Sequence, residues 1–246
     1  MILLFCILIS NKGTIKMKRA ISLLLSIILM LGALSMTSSV SAAEYNWAGS
    51  WGTPALESGI ILGKGSALSR NGIHLQDYIP ANSTVRTVIT PTLGGTKIRL
   101  KFSNVYGTEP VTIDEVTVAK TGATNDLIKT DTVTNVTFNG GNKGVTIAVG
   151  SEVLSDEINF KTTALEKISV SMFFDKSTPM YVIGLYGGLS YICTGFGGNR
   201  THNENMTRFA TKMNFTSGSI TYYTIPFLTR VDVYAEDAYS VVLLVD

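Results

Sequence analysis

The chain has 246 residues, with 20 basic and 18 acidic side chains and a formal charge of +2, which suits one large domain or two small ones. Residues 1–42 hold four of the basic groups and no acidic one, so the rest of the chain carries 16 minus 18, or −2. This weakly acidic remainder argues against nucleic-acid binding and electrostatic membrane anchoring. Two histidines and two cysteines leave no basis for a multi-histidine metal site, a zinc cluster or an internal disulfide outside the first 42 residues.

Residues 1–42 have the pattern of an export signal. Starting at Met17, the basic pair Lys18 and Arg19 precedes an apolar segment at residues 21–34, and small residues then lead to Ala42. The apolar segment of about 14 residues is short for a bilayer span of roughly 20. We therefore expect cleavage before Ala43 rather than a retained anchor, a true start at Met17 and a secreted protein with no membrane contact after cleavage.

Residues 43–239 alternate in hydropathy with period two, as strands do. Ile98, Leu100 and Phe102 alternate with polar residues, and the same pattern recurs at 111–113, 116–118, 145–149, 168–174 and 231–233. Glycine-rich turns separate these segments at intervals close to ten residues. Residues 81–150 contain 15 threonines, which suit the solvent-facing side of an antiparallel sheet. These features predict an all-β fold, an antiparallel β-sandwich that is jelly-roll-like.

Residues 240–246 form an uninterrupted apolar run that ends at Asp246. A strand of this kind is buried on both faces, as in the parallel sheet of an α/β domain. It is either the last strand of the sandwich or the first strand of a second domain.

Motifs for covalent, metal or nucleotide chemistry are absent from the sequence. His74 and His202 lack an acidic residue three positions earlier, so both are interpreted as ordinary loop residues. The adjacent carboxylates at 114–115, 156–157 and 236–237 point to opposite faces of a strand and are interpreted as solvated charges. Cys193 is expected to be a buried thiol. We assign no catalytic, cofactor-binding or metal-binding residue, and no cofactor.

Eight aromatic residues offer rings that could either pack in the core or stack on sugar. Core packing is the expectation for any one of them, and glycan binding stays open for the set. They are Trp47, Trp51, Tyr181, Tyr186, Tyr191, Phe196, Tyr222 and Tyr223.

Several segments, in the same order along the chain, resemble the N-terminal region of bacterial SGNH (GDSL-type) esterases. They are WAGSWG at 47–52, TVRTV at 84–88, LGGTKIRLKFSNVYG at 93–107, VTFNG at 136–140, VTI at 145–147, VLSD at 153–156 and VVLLVD at 241–246. Within the third segment, Asn104 is expected to satisfy backbone groups at a strand end. Gly107 is expected to supply a positive φ in a turn.

The resemblance implies that residues 43–239 are an accessory β-sandwich and that 240–246 begin an SGNH hydrolase domain, with Asp246 matching the Asp of Gly-Asp-Ser. Val245 stands where such esterases have Gly, and the serine would follow Asp246. The expected partner is the SGNH catalytic domain, and this chain alone is expected to be inactive. The intact parent would hydrolyse esters, acylated glycans among them, through an acyl-serine intermediate. The alternative is a free-standing secreted carbohydrate-binding module, for which polysaccharide is the partner.

Overall fold

The computed structural model describes residues 45–57, 78–194, 198–206, 211–217 and 220–236, together with Ile21 and Leu24. The chain divides into two compact units, residues 1–42 and 43–246. Apart from Ile21 and Leu24, the predicted signal peptide lies outside the described residues, as do the predicted buried strand at 240–246, His74 and Phe196. All the described residues except Ile21 and Leu24 belong to the second unit.

This unit is built from antiparallel strands, as the alternation predicts. The strands are β1 (Tyr45–Gly52), β2 (Leu56–Glu57), β3 (Tyr78–Ile79), β4 (Ser83–Ile89), β5 (Lys97–Ser103), β6 (Val111–Ile113), β7 (Glu115–Lys120), β8 (Thr134–Val136), β9 (Val145–Ile147), β10 (Glu152–Leu154), β11 (Ile168–Phe174), β12 (Thr178–Pro179), β13 (Val182–Gly184), β14 (Gly188–Cys193), β15 (Thr211–Lys212), β16 (Asn214–Ser217), β17 (Ile220–Tyr223), β18 (Ile225–Pro226) and β19 (Leu228–Glu236). One turn of 3-10 helix spans Thr130–Thr132.

Two main sheets carry the fold: a four-stranded sheet in the order β1-β19-β5-β10 and a six-stranded sheet in the order β15-β14-β4-β11-β7-β8. Smaller sheets pair β12 with β3, β13 with both β18 and β2, β16 with β17, and β6 with β9. One continuous hydrophobic core joins residues of both main sheets. The predicted all-β, sandwich-like fold is therefore confirmed.

The inward side chains of the two main sheets supply this core because side chains alternate along a strand. Leu100 and Phe102 of β5 are fully buried in it, as are Val170 and Met172 of β11. The predicted alternation at 145–149 extends too far, since β9 ends at Ile147. Val149 lies in the following turn and is exposed.

The outer side of the six-stranded sheet departs from the expectation for threonine. Thr84 and Thr117 are buried there, as are Ser169 and Ser171 of the central strand β11. Residues 198–206, which we call the covering loop, lie across this side: the Thr84 hydroxyl donates to the Gly198 carbonyl, and that of Thr117 to the Thr201 carbonyl. These hydroxyls hydrogen-bond to protein rather than to solvent, so the expected wet face is a polar packing layer.

Leu165 combines two unfavourable features in the turn before β11. Its φ is +65°, a region that favours glycine or asparagine, and 70% of its surface is exposed. We expect Leu165→Asn to raise the free energy of unfolding by about 1 kcal/mol, because asparagine tolerates the left-handed region better. Urea denaturation measures this change. Leu154→Asn is the control, since this exposed leucine lies in strand β10, where asparagine is unfavourable. A loss of stability in Leu165→Asn contradicts the argument.

Candidate functional site

His202 lies beside a carboxylate that its local sequence does not reveal. Its Nε2 is 2.9 Å from Oε1 of Glu115, which is 87 residues away in the chain. The two meet because β7 presents Glu115 on the outer side of the six-stranded sheet, where the covering loop passes. Only the tertiary fold brings this pair together, so the spacing of acidic residues around His202 could not predict it.

Other groups of the covering loop complete the environment of Glu115. The Thr201 hydroxyl lies 2.8 Å from Glu115 Oε1, and Asn199 Nδ2 donates to Oε2 at 3.1 Å. Among the contacts of the described residues, no serine or threonine hydroxyl is hydrogen-bonded to the His202 ring. A serine-type hydrolytic site needs a nucleophile, a base and an orienting acid, and this cluster presents only the last two. The arrangement fits an anchor for the covering loop.

The pKa of Glu115 reflects this anchoring. Burial alone would raise it, but hydrogen bonds from Thr201, Asn199 and His202, together with the charge of His202, leave the pKa below its ordinary value of 4.5. A depressed folded-state pKa stabilises the fold above the unfolded-state value, and this stabilisation is lost as the pH falls through the folded-state value.

We therefore expect Glu115→Gln to be less stable than the wild type at pH 7, with the difference shrinking as the pH falls from 4.5 towards 3. Urea denaturation of both proteins across this range measures it. A difference that stays constant from pH 7 to pH 3 contradicts the assignment of Glu115 as the titrating anchor.

Arg86 is the most unusual residue on the same side of the sheet. It is fully buried in the middle of β4, and all five of its N–H donors have acceptors. Nε donates to Ser171 Oγ at 2.9 Å, directly across the strand pair. The other four bonds go to main-chain carbonyls. These belong to Asp126 at 2.9 Å, Glu204 at 3.0 Å, Arg200 at 3.1 Å and Asn203 at 2.8 Å.

We call this set of acceptors the arginine cage. Burial lowers the pKa of Arg86 to about 10, although the negative charge of Asp126 acts to raise it. The guanidinium therefore remains charged at neutral pH. If the surrounding backbone moved, the buried guanidinium would lose its carbonyl acceptors, and a buried charge without hydrogen bonds is costly. Its donors are all occupied by the protein itself, so the cage holds the covering loop in place rather than binding a ligand.

A second buried polar residue shapes the turn after β5. Asn104 is fully buried, and its Nδ2 lies within hydrogen-bond distance of three carbonyls, those of Glu109 at 3.0 Å, Ile147 at 3.2 Å and Ala148 at 3.3 Å. This confirms that Asn104 satisfies backbone groups at a strand end. Gly107 does not have the expected positive φ. Glycine is needed because a Cβ there would lie 2.0 Å from Asn104 Oδ1.

Trp47 and Trp51 make contacts within the protein, as core-type packing predicts. The guanidinium carbon of Arg99 lies 3.9 Å from the ring centroid of Trp47, and Tyr234 packs against the same ring at 5.3 Å. Trp51 is buried, and its Nε1 donates to the Gly187 carbonyl at 2.6 Å. Trp51 therefore offers no open platform for stacking, whereas Trp47 is half-buried and Arg99 lies over its ring.

The tyrosines differ more widely in exposure. Tyr191, Tyr222 and Tyr223 are half-buried, whereas Tyr186 is 62% and Tyr78 is 51% exposed. Tyr78 is not one of the eight predicted aromatics. Among the eight, Tyr186 is exposed, Tyr181 is half-buried like the three above, and Phe196 lies outside the described residues.

The adjacent carboxylates bind separate partners, as expected for neighbours that point apart. Asp114 accepts a hydrogen bond from the backbone N–H of Asp175, while Glu115 contacts the covering loop.

The second pair also divides its partners. Asp156 accepts hydrogen bonds from Gly140, Thr137 and Gly141. These bonds hold the pKa of Asp156 below its usual value, although slight burial acts in the opposite direction. Glu157 instead pairs with Lys97 at 2.9 Å. Glu236 is exposed, and Asp237 lies outside the described residues.

Cys193 is buried, as expected, and is not in a disulfide. Across the described ranges, no three His, Cys, Asp or Glu side chains form a group that could hold a metal ion. The described residues also contain no helix long and apolar enough to cross a bilayer.

In comparisons with known proteins, no family model matches the chain, and no curated protein matches it.

Proposed function

We propose that residues 43–239 are the N-terminal accessory β-sandwich of a secreted SGNH-type esterase. The observation that carries this proposal is the collinear order of the sequence segments that resemble such esterases. In the structure the first three of these segments contain or lie on β1, β4 and β5. The segment at 145–147 forms β9, those at 136–140 and 153–156 overlap the ends of β8 and β10, and the segment at 241–246 lies outside the described residues. The intact parent would hydrolyse esters, with acylated glycans as candidate substrates, through an acyl-serine intermediate.

The structural roles of residues in the segments that resemble SGNH esterases support the proposal. Trp51, Arg86 and Asn104 lie in the segments that carry the resemblance, and each donates hydrogen bonds within the domain. Gly107 lies in one of the same segments and leaves the space that the Asn104 side chain occupies. In this proposal the sandwich packs against the catalytic domain and helps to form the wall of its cleft.

The DNA downstream of codon 246 tests the proposal directly. We expect a serine codon next, in frame or after a single-base shift, followed by about 200 codons with α/β patterning, the size of one further domain. An unrelated reading frame directly after codon 246 would overturn the assignment to an esterase.

Residues 43–246 alone are expected to give no turnover of p-nitrophenyl acetate above buffer. The reason is that His202 is paired with Glu115 and no described contact gives it a nucleophile. A spectrophotometric assay at several enzyme concentrations checks this, with His202→Ala as the matched variant. Turnover that rises with protein concentration and falls in His202→Ala contradicts the proposed non-catalytic role.

A further inference from the structure

Two tyrosines, Tyr78 in strand β3 and Tyr181 just after strand β12, share the outer side of the chain at this small sheet. Tyr78 is directly opposite Pro179 in this antiparallel pair, and Tyr181 follows Pro179 by two residues. Ile79 and Met180, the alternate residues, are buried. Since alternate residues of extended chain point to opposite sides, Tyr78, Pro179 and Tyr181 share the outer side.

Tyr181 is held in position at both ends of its side chain. Its ring packs against the hydrophobic core. Its hydroxyl accepts a hydrogen bond from Thr108 Oγ1 at 2.8 Å and donates one to Glu109 Oε1 at 3.0 Å. Thr108 and Glu109 belong to the turn that Asn104 braces from below. The ring and its polar neighbours are thus ordered before any ligand arrives, which reduces the entropy cost of binding.

We call Tyr78, Tyr181, Thr108 and Glu109 the tyrosine surface. It combines exposed ring area with a hydroxyl and a carboxylate. All the hydrogen-bonding groups remain at the surface, where they can exchange partners. These four residues include no cation, and their one charge is negative, which disfavours an anionic ligand.

We propose that the tyrosine surface binds the sugar rings of an uncharged polysaccharide. The apolar faces of such rings would stack on Tyr78 and Tyr181, and ring hydroxyls would donate to Glu109. Tyrosine suits this task because it offers a rigid apolar face with a polar end. A protein partner is less suited, because the centre of a protein–protein hot spot excludes water, whereas here the carboxylate of Glu109 is solvated where it accepts the hydrogen bond from the Tyr181 hydroxyl. Binding of this kind is independent of whether the parent is an esterase.

Affinity gel electrophoresis of the full chain tests the proposal, with hydroxyethylcellulose, birchwood xylan and galactomannan each cast in the gel. We expect at least one of them to retard the wild-type protein. Tyr78→Ala should weaken binding about tenfold, as for a central aromatic contact, and Glu109→Gln should weaken it less. Tyr186→Ala is the matched control, since Tyr186 is a more exposed tyrosine outside this surface.

Urea denaturation must show that Tyr78→Ala is as stable as the Tyr186→Ala control, so that a loss of binding cannot come from unfolding. Retardation of the wild type by none of the three polysaccharides overturns the proposal. Equal losses of binding in Tyr78→Ala and Tyr186→Ala overturn it as well. So does self-association that Tyr78→Ala abolishes in sedimentation velocity without a change in retardation, since the surface would then be a protein contact.

Discussion

Replacing Arg86 with methionine is expected to lower the free energy of unfolding by about 4 kcal/mol, among the largest effects for a single substitution. Methionine fills much of the side-chain volume but donates no hydrogen bond. Four main-chain carbonyls of the arginine cage would then lose a charged donor, and each unsatisfied buried carbonyl costs about 1–3 kcal/mol before the loop relaxes towards water. Urea denaturation of the wild type and the variant gives this difference.

Two further variants make the Arg86 result specific. Arg86→Lys retains the charge but offers three donors from a single nitrogen, so we expect a loss of stability between those of the wild type and Arg86→Met. Lys143→Met removes an exposed cation from a turn and should change stability by less than about 0.5 kcal/mol. If Arg86→Met is no more destabilising than Lys143→Met, the arginine cage does not hold the covering loop.

Gly107→Ala should destabilise the domain by about 3 kcal/mol, although it adds only one methyl group. The new Cβ would lie 2.0 Å from Asn104 Oδ1, so the amide would have to leave its buried position. Its bonds to the carbonyls of Glu109, Ile147 and Ala148 would be lost with it. Thermal or urea denaturation measures the effect.

A double-mutant cycle separates this mechanism from a general intolerance of alanine in the turn. Asn104→Ala removes the side chain that the new Cβ would meet, so Gly107→Ala should cost less than about 1 kcal/mol in that background. Gly144→Ala is the contrasting case. Its Cβ would meet the main-chain carbonyl of Asp114 at 2.5 Å, and Asn104→Ala should not relieve that clash. Strict additivity of Gly107→Ala and Asn104→Ala refutes the proposed contact.

Hydropathy alternation predicted the strands and much of the core because each inward residue contributes its own local signal. Ile98, Leu100 and Phe102 needed no tertiary information to be placed on one side of β5. The expectation that threonines mark a solvent-facing side failed for Thr84 and Thr117, which are buried. Hydropathy alternation predicts which side of a strand faces the apolar core. It does not predict whether the opposite, polar side faces solvent or is covered by another part of the chain.

The polar clusters could not be predicted because their partners are distant in the chain. Glu115 and His202 are 87 residues apart, and the carbonyls around Arg86 lie up to 118 residues from it. Gly107 was recognised as a turn glycine for the wrong reason, since its constraint is the neighbouring Asn104 side chain and not φ. The exposure of Tyr78 likewise depends on which strands pair at the edge of the fold.

The arginine cage also has a consequence for how this protein can change over evolutionary time. Three of its carbonyl acceptors belong to residues 200–204 of the covering loop. Main-chain carbonyls are the same whatever side chain is attached, so Arg86 fixes the path of that segment without specifying its sequence. Exposed positions such as Asn203 and Glu204 can therefore mutate freely while the backbone keeps its shape. The positions of the covering loop whose side chains do not bond to Glu115 are thus a natural scaffold on which new surface chemistry can be tried at little risk to folding.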